Sequence, residues 1–77
     1  MLKRIVAEAA HAERLYGPFR STHEGLGVLT EEYAELVEAI RSNDLAAVRE
    51  EAIQLSAVAM RLAESCSNEE TIKRSIP

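Results

Sequence analysis

The chain has 77 residues, nine Lys/Arg against thirteen Asp/Glu, and a formal net charge of −4. A single domain of this length buries only about 60 % of the surface its unfolded form exposes, so small domains draw stability from disulfides, metals or partner subunits. One cysteine, Cys66, excludes an internal disulfide, and the acidic balance without a basic stripe excludes an electrostatic grip on a nucleic-acid backbone.

The apolar share is 47 % but the aromatic share only 4 %, with three Gly and two Pro. An apolar fraction drawn from Ala, Leu, Val and Ile favours helices over a sandwich or barrel. Leu2, Ile5, Val6, Ala9, Ala12 and Tyr16 recur at helical spacing and predict a first amphipathic helix over 2–16. Glu8, His11 and Glu13 interrupt any signal-peptide-like apolar run after Lys3-Arg4. Gly17-Pro18 stops the helix, and Phe19 falls in the connecting loop.

Ser21 followed by Glu24 is a capping box, so a second helix starts near Thr22. It runs through Leu26, Leu29, Tyr33, Leu36, Val37 and Ile40 and ends near Ser42-Asn43. Gly25 and Gly27 weaken its first turns by about 1 kcal/mol each relative to Ala, and either allows a neighbour to approach closely. Asn43 or Asp44 caps a third helix from about Leu45 to Ser65, about 30 Å long. Its main stripe is Val48, Ala52, Leu55, Ala59 and Leu62, while Ala47, Ile53, Val58 and Met60 lie off it. A helix apolar on several sides is central and calls for more neighbours than one short chain supplies, hence a second subunit. Ser67 with Glu70 repeats the capping pattern and predicts a short last helix from Asn68 to about Ser75. The expected fold is therefore all-α, one domain over 1–77: a helical bundle of three main helices plus a short C-terminal helix, completed by homo-oligomerisation. The expected location is cytoplasmic, since the apolar run Leu55–Met60 is too short to cross a bilayer.

No phosphate-binding Gly-rich loop, CxxC or HExxH motif is present. His11 and His23 read as surface histidines, and Tyr16, Phe19 and Tyr33 as core aromatics. The acidic residues stand apart. Glu32 and Glu35 lie three apart on the second helix and share a face. Such clusters are ordinarily solvated, but Glu32 sits inside the apolar seam Gly25, Leu29, Glu32, Leu36, where a carboxylate costs free energy unless paired or cation-bound. Glu51 and Gln54 form a similar polar pair beside the third helix's seam, while Glu50 points elsewhere into solvent. With the two helices antiparallel, Glu32, Glu35, Glu51 and Gln54 converge. Like-charged carboxylates repel, and hard oxygen ligands suit Mg²⁺.

The run Glu31-Glu32-Tyr33-Ala34-Glu35, then fifteen residues, then Glu51-Ala52-Ile53-Gln54, resembles the EExxE…ExxD signature of the MazG-like, all-α nucleotide pyrophosphohydrolases. The resemblance covers most of residues 17 to 64. It implies a helical bundle completed as a homodimer, in some members a dimer of dimers. It also implies Mg²⁺-dependent cleavage of a nucleoside triphosphate to the monophosphate and pyrophosphate, a house-cleaning activity, with Mn²⁺ as an alternative ion. By that resemblance Glu32, Glu35 and Glu51 hold the metal, Glu31 orients water or metal, and Gln54 stands where an Asp is expected. A carboxamide oxygen is the weaker Mg²⁺ ligand. Gln54 therefore either contacts the nucleotide, or marks a protein that binds without turnover and serves as a helical interaction module. Arg61, two turns beyond Gln54, and Lys73 are the candidate phosphate contacts, each otherwise a solvated charge.

Overall fold

The computed structural model describes residues 1–67 together with Ile72 and Lys73. Three helices carry the described fold: α1 (Leu2–Tyr16), α2 (Thr22–Arg41) and α3 (Leu45–Cys66). No strand occurs among the described residues, so the described fold is all-α. None of the described helices is long and apolar enough to cross a membrane.

Local chemistry sets the bounds. Gly17 ends α1 at φ 74°, the left-handed region that glycine enters without steric cost, and its N–H donates to the Glu13 carbonyl. The Ser21 hydroxyl accepts from Glu24 N–H at 3.0 Å, while Glu24 Oε1 reaches back to the Arg20 N–H at 3.1 Å. This is the reciprocal capping expected from sequence, with the return bond landing one residue earlier than in the standard box. Asp44 caps α3 by accepting from Ala47 N–H at 3.1 Å, and Asn43 supplies the tight left-handed turn at φ 57°.

Packing follows from which ends meet. Gly25 lies against Leu62, and a Cβ built on Gly25 would come within 2.6 Å of a Leu62 methyl, so α2 and α3 run antiparallel and approach closely there. Nothing lies within 4 Å of a Cβ on Gly27. Arg4 pairs with Glu50, and Glu13 with Arg61, so α1 runs parallel to α3 along its other flank. The central place expected for the third helix is confirmed: α3 packs against both α1 and α2.

The core itself differs from expectation. Buried on α3 are Ile53, Ala57, Val58, Arg61 and Ser65, a stripe rotated away from the expected Val48, Ala52, Leu55, Ala59 and Leu62. Ala59 is exposed, and Leu55 and Ala59 line a shallow groove of 360 Å³ with Leu29, Thr30 and Tyr33. The rotation arises because α1 and α2 flank α3 rather than share one seam on it. Of the aromatics, Phe19 is buried as expected, whereas Tyr16 and Tyr33 stand 74 % and 60 % exposed. Glu50, expected free in solvent, is an exposed partner of Arg4, with Arg4 Nη1 to Glu50 Oε1 at 2.7 Å.

The expected short helix over 68–75 falls mostly outside the described residues. At the two positions described, the chain is not helical: Lys73 N–H donates to the Arg20 carbonyl and Lys73 carbonyl accepts from Thr22 N–H, a parallel bridge between Lys73 and Ser21. Ile72 is buried beside it. Ser67 closes α3 and its hydroxyl donates back to the Ala63 carbonyl at 3.2 Å. The described fold is thin, with extents of 42 × 30 × 17 Å. Its radius of gyration, 13.2 Å, exceeds the about 11.5 Å of a compact 77-residue domain.

Candidate metal centre

The antiparallel α2–α3 pair brings Glu32, Glu35 and Glu51 together. Each offers a carboxylate oxygen, and the three oxygens lie within 4.8 Å of one another. The spacing follows from sequence: i, i+3 aligns Glu32 with Glu35, and the antiparallel partner presents Glu51 opposite. Glu32 and Glu51 are partly buried in the helix seam, whereas Glu35 is exposed. One oxygen of Glu32 and one of Glu51, Oε2 in each case, is buried without a hydrogen-bond partner.

An unpartnered buried carboxylate oxygen is costly, and the site's electrostatics report it. Burial pushes the Glu32 carboxyl up to about 7, and the neighbouring Glu35 adds to the rise. Glu51 is raised as well, first by burial and then by Glu35. Three clustered carboxylates, two with orphaned oxygens, are a hard all-oxygen donor set of the kind that suits Mg²⁺ or Mn²⁺. Gln54 follows Glu51 by one turn on α3 and is half-buried, and Glu31 is exposed.

Glu31 and Glu32 also line a cavity of 460 Å³ that opens between the α1–α2 connection and α2. Tyr16, Phe19 and Val28 give it an apolar wall, and Arg20, Glu24 and Arg61 further polar groups.

Arg61 is not a solvated charge. It is 5 % exposed, its Nε donates to Glu13 Oε1 at 3.0 Å and its Nη2 to the Gly17 carbonyl at 3.2 Å. Its guanidinium lies 4.4 Å from the centroid of the Phe19 ring, a stacked cation–π contact. Buried Ser65 accepts from Phe19 N–H at 3.2 Å and secures the same corner. Sequence reading placed Arg61 among substrate contacts and missed Glu13 altogether. A signal for Arg61 was present, since Ile53, Ala57, Arg61 and Ser65 recur every fourth residue and put Arg61 on one stripe of α3, whereas nothing in the sequence pointed to Glu13. Lys73 is exposed and does not line the cavity, though its backbone is tied to Arg20 at the cavity's rim. Compared with protein-family models, curated proteins and solved structures, this chain has no match.

Proposed function

We propose that this chain is a Mg²⁺-dependent nucleoside triphosphate pyrophosphohydrolase of MazG-like character, active as a homo-oligomer. The observation that carries the reading is the convergence of Glu32, Glu35 and Glu51 from two helices, with two carboxylate oxygens buried and unpartnered. Glu32, Glu35 and Glu51 would hold the ion, which when bound polarises phosphoryl oxygens and lowers the pKa of water. The protein's own part is to fix these oxygens on rigid helices and to carry Glu31 beside them at the cavity wall, where its exposed carboxylate accepts a proton from water. The adjoining cavity has the volume of a small-molecule site.

Support for a second copy comes from surface apolarity. Leu26, Tyr33 and Ile40 recur every seven residues on α2 and remain 54 %, 60 % and 54 % exposed, and Tyr33 also lines the groove formed with Leu55 and Ala59. A heptad stripe of this kind seeks a facing helix. Gln54 in place of a fourth acid favours a second reading, a module that binds nucleotide without turnover, because one fewer negative charge weakens metal binding.

Incubation with Mg²⁺ and a panel of ordinary and modified nucleoside triphosphates, following monophosphate and pyrophosphate release, decides between them. Turnover that disappears with a chelator supports the hydrolase. Mg²⁺-dependent nucleotide binding without turnover supports the module, and neither turnover nor binding removes both.

A further inference from the structure

The cavity beside the acidic cluster has features the metal chemistry does not use. At its α2 end, eight residues before Glu32 and so about 12 Å along the helix, stands Glu24. Its carboxylate is not free to wander: Oε1 accepts from the Arg20 N–H at 3.1 Å, while the Ser21 hydroxyl holds the Glu24 backbone N–H. The capped carboxylate thus stands at a cavity whose apolar wall includes Phe19 and Val28. Arg61 covers one face of Phe19 and is itself paired with Glu13, which leaves Arg20 as the other cation of a lining that holds three carboxylates, Glu24, Glu31 and Glu32. Tyr16, exposed at the rim, offers an aromatic face. A flat, apolar-faced ligand bearing N–H donors matches this lining, and a nucleobase has that shape and chemistry.

We propose that the cavity is the base subsite of this protein and that Glu24 sets its specificity, accepting a hydrogen bond from the exocyclic amino group of cytosine or adenine. The assignment rests on the nucleotide reading above, with the phosphates toward Glu32, Glu35 and Glu51. A carboxylate is acceptor-only, so it pairs with an amino group and repels the carbonyl that replaces it in uracil or hypoxanthine. Tyr16 stacks on any base and contributes affinity without choosing among them.

The test uses nucleosides without phosphates, in a chelator, so that metal and hydrolysis play no part. Titration calorimetry or chemical-shift titration compares two matched pairs, cytidine against uridine and adenosine against inosine. The wild type binds the amino member of each pair about tenfold more tightly. Glu24→Gln keeps the cap, because the amide oxygen still accepts from Arg20 N–H, but presents an NH₂ donor to the cavity. In this variant the preference reverses toward uridine and inosine. Tyr16→Ala weakens all four nucleosides by a similar factor and leaves the preference intact. Equal affinity within each pair, a preference unchanged by Glu24→Gln, or no nucleoside binding at all overturns the assignment, even where Mg²⁺-dependent triphosphate cleavage is found. Base preference as stated, in a protein that cleaves no triphosphate, keeps the subsite and removes the hydrolase.

Discussion

Two corners of this small protein each hold charge inside the fold, and they handle it oppositely. At the α1–α3 corner the Arg61 guanidinium is met by Glu13, by the Gly17 carbonyl and by the Phe19 ring, all from its own chain. At the α2–α3 seam Glu32, Glu35 and Glu51 face one another, and two of their oxygens have no partner. The first corner is a closed structural brace. The second is a set of like charges with no counter-charge beside it that the structure shows. Buried polar groups that stay unsatisfied in a native fold call for an explanation, and a divalent cation supplies one in the chemistry these donors favour.

The contrast is broken most severely at the acidic seam. Glu35→Ala removes an exposed carboxylate that repels its neighbours Glu32 and Glu51, so the fold persists. Phosphohydrolase turnover should fall by at least about a hundredfold, as for other losses of a metal or transition-state contact. A steady-state assay with circular dichroism of the same sample checks this, and retained turnover would place Glu35 outside the site. The next effect belongs to the brace. Glu13→Ala leaves the Arg61 charge buried without its counter-ion and should cost about 3 kcal/mol, visible in urea unfolding with an unchanged slope. A loss below about 1 kcal/mol would mean that the Gly17 carbonyl and Phe19 suffice.

A smaller effect runs the other way. With its folded pKa near 7 against the ordinary 4.5, the Glu32 carboxyl binds more protons folded than unfolded between those values. Its contribution to stability is therefore fully present below pH 4.5 and is lost as pH rises through 7. In metal-free buffer at pH 8, Glu32→Gln should raise Tm by about 5 °C over wild type, and the gap should close toward pH 4.5. Equal melting at both pH values would show that the seam tolerates the charge. The smallest effect lies away from both corners. Gly27→Ala, at an open helical position, should stabilise by about 0.5–1 kcal/mol in thermal or chemical unfolding. Destabilisation there would show that position 27 faces a partner subunit.

Much of this was legible in the sequence where the governing chemistry is local. Gly17-Pro18, the Ser21–Glu24 cap and Asp44 bound the helices, and i, i+3 spacing paired Glu32 with Glu35. Glu51 joined them because an antiparallel hairpin brings its seam opposite theirs. What escaped the sequence depends on contacts between residues far apart along the chain. Arg61 shares a stripe of α3 with Ile53, Ala57 and Ser65, but its partners Glu13 and Gly17 lie more than forty residues back and only tertiary packing brings them to it. Lys73 likewise pairs with the segment around Ser21 instead of continuing a helix. The α3 stripe was read one face away because periodicity gives a helix its apolar sides without saying which neighbour covers each. Tyr16 and Tyr33, assigned to the core by type, stand exposed, Tyr16 lining the cavity and Tyr33 the groove beside Leu55, because residue type alone does not say which face of a helix a neighbour covers.

The central claim, that the acidic seam is completed by a divalent cation, is tested most directly by calorimetric titration of Mg²⁺ or Mn²⁺ at pH 8 into wild type and Glu32→Gln. Saturable binding to the wild type, lost or greatly weakened in the variant, is the predicted result. No binding to the wild type, or the same affinity in both proteins, would contradict the account.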